Sequence, residues 1–340
     1  MKKIAFLLSL LFAIGCNAPS ETPTNSGGDT VPTSLPEGPL LGETAGDTPT
    51  IFAPGFISTL DNELNGLFSP DGKEFYYSLD APRGDFRVIA VSQQDAEGRW
   101  SEPRVADFSG KYSDVDPQMT PDGQRIYFCS RRPRTPGDTL PRDYDIWYVD
   151  RQAVSWGEAV RLGATVNTER NDWYCSSTAG GNLYYATWDD ERKTDDIFRV
   201  VVSEKGLERE NIGGGVNTPF AEFDPFIAPD ESYLIFAGYR PDAGFGGIDL
   251  YISYRVDGAW SEAQNLGPEI NSGGKDYCPW VTTDGQYFFF TSMRTETAYP
   301  GSETVTLAGL RTKMRSMDNG LGNVYWVKAD FIERMRPAAE

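Results

Sequence analysis

The chain has 340 residues, with 31 basic against 50 acidic side chains and a formal net charge of −19 at pH 7. A field of that sign argues against nucleic acid and anionic lipid surfaces as partners, and leaves cations, basic protein patches and neutral glycans. There is no histidine, which excludes Ser-His-Asp and Cys-His nucleophilic sites, histidine-ligated zinc and histidine acid–base catalysis.

Met1, Lys2 and Lys3 form a positive start, and Ile4 to Ile14 is an apolar run too short to span a bilayer as a helix. It ends Ala13-Ile14-Gly15-Cys16, which resembles a bacterial lipobox. The resemblance implies a signal peptide over 1–15, cleavage before Cys16 and lipidation of that cysteine; the alternative is an ordinary secretory signal. Asn17 follows, with no aspartate to suggest inner-membrane retention. The expectation is therefore a lipid-anchored protein of the outer membrane, on its periplasmic or surface face. Removing Lys2 and Lys3 leaves 29 basic against 50 acidic residues, a mature charge of −21. Residues 16–49 are rich in Pro, Gly, Ser and Thr and read as a disordered tether.

From residue 50 a pattern recurs at intervals of about 50–58 residues. Turns lie at Pro70-Asp71-Gly72, Pro121-Asp122-Gly123, Ala179-Gly180-Gly181, Pro229-Asp230-Glu231 and Thr283-Asp284-Gly285. Proline presets φ, aspartate bonds its own backbone and glycine tolerates the left-handed region. After each turn comes an aromatic strand such as Phe75-Tyr76-Tyr77 or Phe288-Phe289-Phe290, then a third signal such as Asp145-Ile146-Trp147. A fourth segment opens with Trp100, Trp156 or Trp260 and closes near Val166-Asn167-Thr168, Val216-Asn217-Thr218 and Ile270-Asn271-Ser272. Four strands per unit at this period predict an all-β propeller over 50–335, with a tail at 336–340. Five blades are counted, or six if one unit is too degraded to register. The last unit lacks its fourth segment, and Ala53 to Thr59 matches Leu266 to Ser272. The N-terminal strand is thus expected to close the ring and remove its free edges.

The pattern P-x-x-(S/T)-P-D-G-x-x-(I/L)-Y-F-x-S-x-R followed by D-(I/L)-(W/Y) resembles the WD-repeat-like propeller family that includes the TolB propeller. The resemblance covers about residues 50–333, and it implies the ring and a scaffolding or regulatory use. The third repeat departs most, with Gly180-Gly181, Asp189 in place of arginine and no tryptophan in its fourth segment.

Aligned on the turns, one column is acidic in every unit: Glu63, Asp114, Asp172, Glu222 and Asp276. Around one mouth these could bind a cation or a polyhydroxylated ligand; the favoured reading is that each pairs with a neighbouring blade, with Arg132, Arg240 and Arg294 as partners. Two residues on, Asn65, Asp116, Tyr174, Asp224 and Cys278 vary as a ligand-facing surface would. Trp173, Tyr277 and Trp280 add aromatics suited to sugar stacking or to packing. The candidate ligand-binding mouth is thus Asp114, Asp116, Asp172, Tyr174, Glu222, Asp224 and Asp276. The fifth unit carries an insertion, Thr295 to Gly322, in which Val305 to Met317 reads as an amphipathic helix bearing Arg311, Lys313 and Arg315. It is either a partner-contact element or a lid on its own blade. Arg131-Arg132-Pro133-Arg134 is a second basic loop on the same side.

No P-loop, G-x-G-x-x-G or C-x-x-C motif occurs. Cys129, Cys175 and Cys278 read as buried small side chains rather than a disulfide. Asp189-Asp190 and Asp195-Asp196 leave calcium open but lack EF-hand spacing, so no cofactor and no metal are expected. The leading expectation is a non-enzymatic envelope module that binds a protein or glycan partner. The alternative is a glycoside hydrolase or lyase that uses paired carboxylates at the mouth, Asp116 and Asp224 first.

Overall fold

The computed structural model describes residues 34–135, 137, 143–204, 206–295, 304–317 and 319–338. They build a closed five-bladed β-propeller of antiparallel four-stranded sheets. The inner strands are Glu63–Phe68, Asp114–Met119, Asp172–Ser177, Glu222–Ile227 and Asp276–Val281. Successive inner strands touch, and the fifth returns to the first. The second strands are the aromatic runs after each turn, and they are buried along most of their length. Their side chains meet the next blade rather than one central core: Tyr76 faces Phe108 and Trp156, and Tyr184 faces Trp260. Trp156 and Trp260 of the fourth segments are therefore staples between blades. Trp156 Nε1 donates to Tyr76 Oη at 2.9 Å across the seam of blades 1 and 2.

The turns follow their chemistry. The Thr120 hydroxyl and the Gln124 N–H both donate to the Asp122 carboxylate, at 2.6 and 3.0 Å, while Gly123 sits at φ 71°. In blade 4 Glu231 takes the left-handed place, at φ 60°, and uses its carboxylate across the seam. Arg199 of blade 3 donates to it at 2.9 Å.

Thr50–Ile51 pairs with the third strand of blade 5, Asn323–Lys328, so the N-terminal strand closes the ring. Phe52 N–H donates to Val324 O at 2.8 Å. Ser58 brackets the same residue, its hydroxyl 3.2 Å from Val324 N and 3.3 Å from its O. Asn167, Asn217 and Asn271 do likewise for Ile146, Ile197 and Leu250. The match of Ala53–Thr59 to Leu266–Ser272 thus reflects one bracket repeated in another blade.

Packing begins before residue 50. Gly38 O accepts from Trp100 Nε1 at 2.8 Å, and Leu41 and Ala45 are buried. The tether expected over 16–49 therefore does not run loose to residue 49; its two apolar side chains and that carbonyl fix 34–49 against the ring. The signal peptide, Cys16 and the tether as far as residue 33 lie outside the described residues. A short helix at Leu307–Met314 (α1) is narrower than the expected 305–317 because Thr306 caps it, accepting from Gly309 N–H at 3.0 Å. The last helix, Phe331–Arg334 (α2), packs Phe331 on Phe288. Among the described residues no helix is long and apolar enough to cross a membrane.

Candidate functional site

The acidic column lies at the start of the inner strands, on the face that carries the second-to-third-strand loops. All five carboxylates are fully buried. Each accepts from the residue four or five places earlier, at the end of the preceding blade. Thr59 gives Glu63 both its backbone N–H, at 3.1 Å, and its hydroxyl. Thr218 does the same for Glu222 at 2.9 and 2.5 Å, and Ser272 for Asp276 at 2.6 and 2.8 Å. Thr168 N–H reaches Asp172 at 2.7 Å, and Ser109 Oγ reaches Asp114 at 2.9 Å. Arg132, Arg294 and Arg240 approach Asp114, Asp276 and Glu222 at 2.9, 3.3 and 3.8 Å. Asp114, Asp172, Glu222 and Asp276 are therefore blade-to-blade clamps rather than open ligands, because a carboxylate without water must be matched by donors.

The second column shares an unusual backbone. Asn65, Asp116, Tyr174, Asp224 and Cys278 all have φ between 47° and 57°, and the pairing register of every inner strand shifts there. Each blade thus carries a bulge that turns one residue into the channel. The bulged N–H groups of blades 1, 2 and 3 find a partner in the preceding blade: Thr291 Oγ1, Ser78 Oγ and Cys129 Sγ. In blade 4 the equivalent second-strand residue is Ala237, so Cys278 N–H donates to Asp224 Oδ2 at 3.2 Å instead. The Cys278 thiol lies 3.6 Å from Asp224 and 3.9 Å from Asp116, bringing two carboxyls from different blades to one point. Tyr174 crosses the channel, its hydroxyl donating to Pro279 O at 2.6 Å. It is a buried strut, not an exposed platform, and Trp280 is likewise buried against Phe289. Cys129, Cys175 and Cys278 are free and buried.

Beside this pair lie groups that the sequence did not bring together. Asp80 pairs with Arg87 at 3.2 Å. Arg131 covers the Tyr144 ring at 4.4 Å, and the Tyr144 and Trp173 rings lie 4.6 Å apart, tilted by 36°. The Tyr144 and Ser113 hydroxyls share a hydrogen bond of 2.8 Å. Asp80 Oδ1 and Arg131 Nε are buried without partners among the described residues. Asp80 and Arg87 belong to blade 1 and Arg131 and Tyr144 to blade 2, and no residue type here recurs through all five blades, so no column exposed them. The basic loop is not free: Arg134 binds Asp143 and Asp145 at 2.6 and 2.8 Å. α1 has no buried side chain, with Leu307 62% and Met314 64% exposed.

Burial holds most of these carboxyls protonated beyond the usual range. It lifts Glu63 and Glu222 to about 7 and Asp172 to about 6. Asp116 is raised by burial first and by the facing Asp224 second, and Asp224 is raised by burial. A carboxyl raised on folding stabilises most below its unfolded value, and that stability is lost as pH rises through the folded value. The urea midpoint is therefore expected to fall between about pH 4.5 and 7, where Glu63 and Glu222 titrate. Asp116→Asn should flatten that slope and stabilise the ring by roughly 1–3 kcal/mol at pH 8, with little effect at pH 5. Asparagine tolerates the left-handed backbone, and Asn65 already occupies the position in blade 1. An unchanged slope would show that the pair holds no proton.

No family model matches the chain, and no curated protein matches it. Among solved structures, a glycoside hydrolase is similar at 8% identity over 90% of this chain and 93% of its own, with a TM-score of 0.49. The Trypanosoma rangeli sialidase in complex with the inhibitor DANA is similar at 15% identity over 68% of this chain and 44% of its own, with a TM-score of 0.40. Prolyl oligopeptidase B from Galerina marginata follows at 16% identity over 67% of this chain and 32% of its own, with a TM-score of 0.35. The chain thus spans less than half the length of the last two. Likenesses at this level concern the course of the chain and say nothing of its chemistry.

Proposed function

We propose that this protein is a lipid-anchored envelope module, TolB-like in its repeats, whose propeller binds a protein or glycan partner without transforming it. One observation carries the reading. α1 stands on the loop face with none of its eight residues buried, and Leu307, Met314, Arg311 and Arg315 are exposed. An isolated helix of that length is marginal in water, so its stability is best supplied by a surface laid against it. The clamped acidic column agrees with a platform more than with an open reaction site. A photo-cross-linker at Met314 in native outer membranes should capture one stoichiometric partner, lost in Leu307→Glu. The same cross-links in the variant, or none in either, would sink the assignment.

A second reading rests on the Asp116–Asp224 pair. Two buried carboxyls with raised proton affinity near one point resemble an acid and a base poised for glycoside cleavage. Turnover of an envelope glycan that vanishes in Asp116→Asn, with the fold retained, would establish it. Retained turnover in that variant would dismiss it.

A further inference from the structure

We propose that the seam between blades 1 and 2 is a saccharide-binding groove, separate from the channel and from α1. A cleft of about 830 Å³ opens there between the link into blade 2 and that blade's flank. A space of about 300 Å³ continues it past Trp156, which borders both. The wall is aromatic and already fixed. The Arg132 guanidinium lies 5.5 Å from the Tyr112 ring and 5.3 Å from that of Trp147. That guanidinium is itself held by Asp114 at 2.9 Å and by Phe108 O at 3.0 Å. Trp156 is pinned by its bond to Tyr76. Rings held this way lose little freedom when a ligand arrives, which favours affinity. Trp147 is only 7% exposed, and its ring N–H has no acceptor among the described residues.

The rim is mixed in sign. Lys111 and Glu158 are exposed and have no ion pair among the described residues, and Lys111 Nζ sits 5.2 Å over Tyr112. An aromatic wall with a few donors and acceptors around it is the general form of a small-molecule site. A sugar ring fits this one best: it offers a C–H face to Tyr112 and hydroxyls that both donate and accept. A wholly apolar ligand would leave the charged rim desolvated without partners, and a polyanion would meet Glu158. The choice of a glycan follows the binding-module reading above, but the groove itself does not depend on α1.

The test is titration calorimetry of the full-length protein with short oligosaccharides of glucose and of N-acetylglucosamine. One series should bind, about tenfold more weakly in Tyr112→Ala, where the stacking face is lost. Lys111→Ala, at an exposed position that cannot unfold the ring, should weaken it several-fold. Thr50→Ala, at an exposed position on the seam of blades 1 and 5, should leave it unchanged. No binding by either series, or equal affinity in Tyr112→Ala and the natural protein, overturns the groove. Loss in Asp116→Asn with retention in Tyr112→Ala also overturns it, by moving the ligand to the channel. None of these results bears on Met314 cross-linking, so the two proposals fail separately.

Discussion

Phe52→Ala is expected to lower stability by about 3–5 kcal/mol, the range for removing a fully buried aromatic ring. Phe52 has no exposed surface and follows the two residues that close the ring. Its ring lies 5.1 and 5.0 Å from Phe289 and Trp326 of blade 5, and 5.8 and 4.9 Å from Phe68 and Phe75 of blade 1. It is therefore the point where the first and last blades share a core. Alanine would leave a cavity between them and weaken the hold on a strand of only two residues. Release of that strand would expose the edge of Asn323–Lys328, so the variant should also self-associate on mild heating. Thr50→Ala, at an exposed site beside it, should change stability by no more than about 0.5 kcal/mol. Urea unfolding of the three proteins measures this. A loss below about 1 kcal/mol in Phe52→Ala would mean that the ring holds without its closing strand.

What the sequence revealed followed from repetition. The turns, the closing strand and the acidic column each recur, and recurrence is visible without coordinates. Even the bulges had left a trace: Asn65, Asp116 and Asp224 are the residue types that best accept a positive φ, and Asp116 and Asp224 precede prolines. Tyr174 and Cys278 carry no such signal, so the common backbone behind all five was hidden. The pairing of the acidic column could be expected from the sequence but its partners could not be seen there, for a physical reason. Sequence shows that a carboxylate is present but not that Thr59, Thr168, Thr218 and Ser272 already face it. The cluster of Arg87, Arg131 and Tyr144 was not legible as a cluster, because Arg131 reads as part of a basic loop and neither Arg87 nor Tyr144 recurs at its position in another blade. Nor could composition show that Leu41 and Ala45 would find pockets on the ring, which is why the packed chain starts earlier than its polar look suggests.

Arg132→Met is expected to cost about 3–5 kcal/mol at pH 8, because it leaves a buried carboxylate without its cation. Asp114 has no exposed surface and accepts from Arg132 at 2.9 Å, Ser130 at 2.6 Å and Ser109 at 2.9 Å. The two hydroxyls alone cannot offset the charge. The other blades point the same way. Glu63 and Asp172 have hydroxyl and backbone donors but, among the described residues, no arginine clamp, and burial pushes them to about 7 and about 6. Asp114 is already raised by burial against the pull of Arg132, and removing that pull raises it further. With the folded value above the unfolded one, the defect is smallest in acid and grows as pH rises. The variant should therefore lose clearly less at pH 5 than at pH 8. Asp114→Asn in the same chain should recover much of the loss at pH 8, since asparagine needs no counter-charge. Equal losses at both pH values, with no recovery in the double variant, would assign the effect to the guanidinium's contacts with the Phe128 and Trp147 rings. The clamps would then hold the blades by shape rather than by charge.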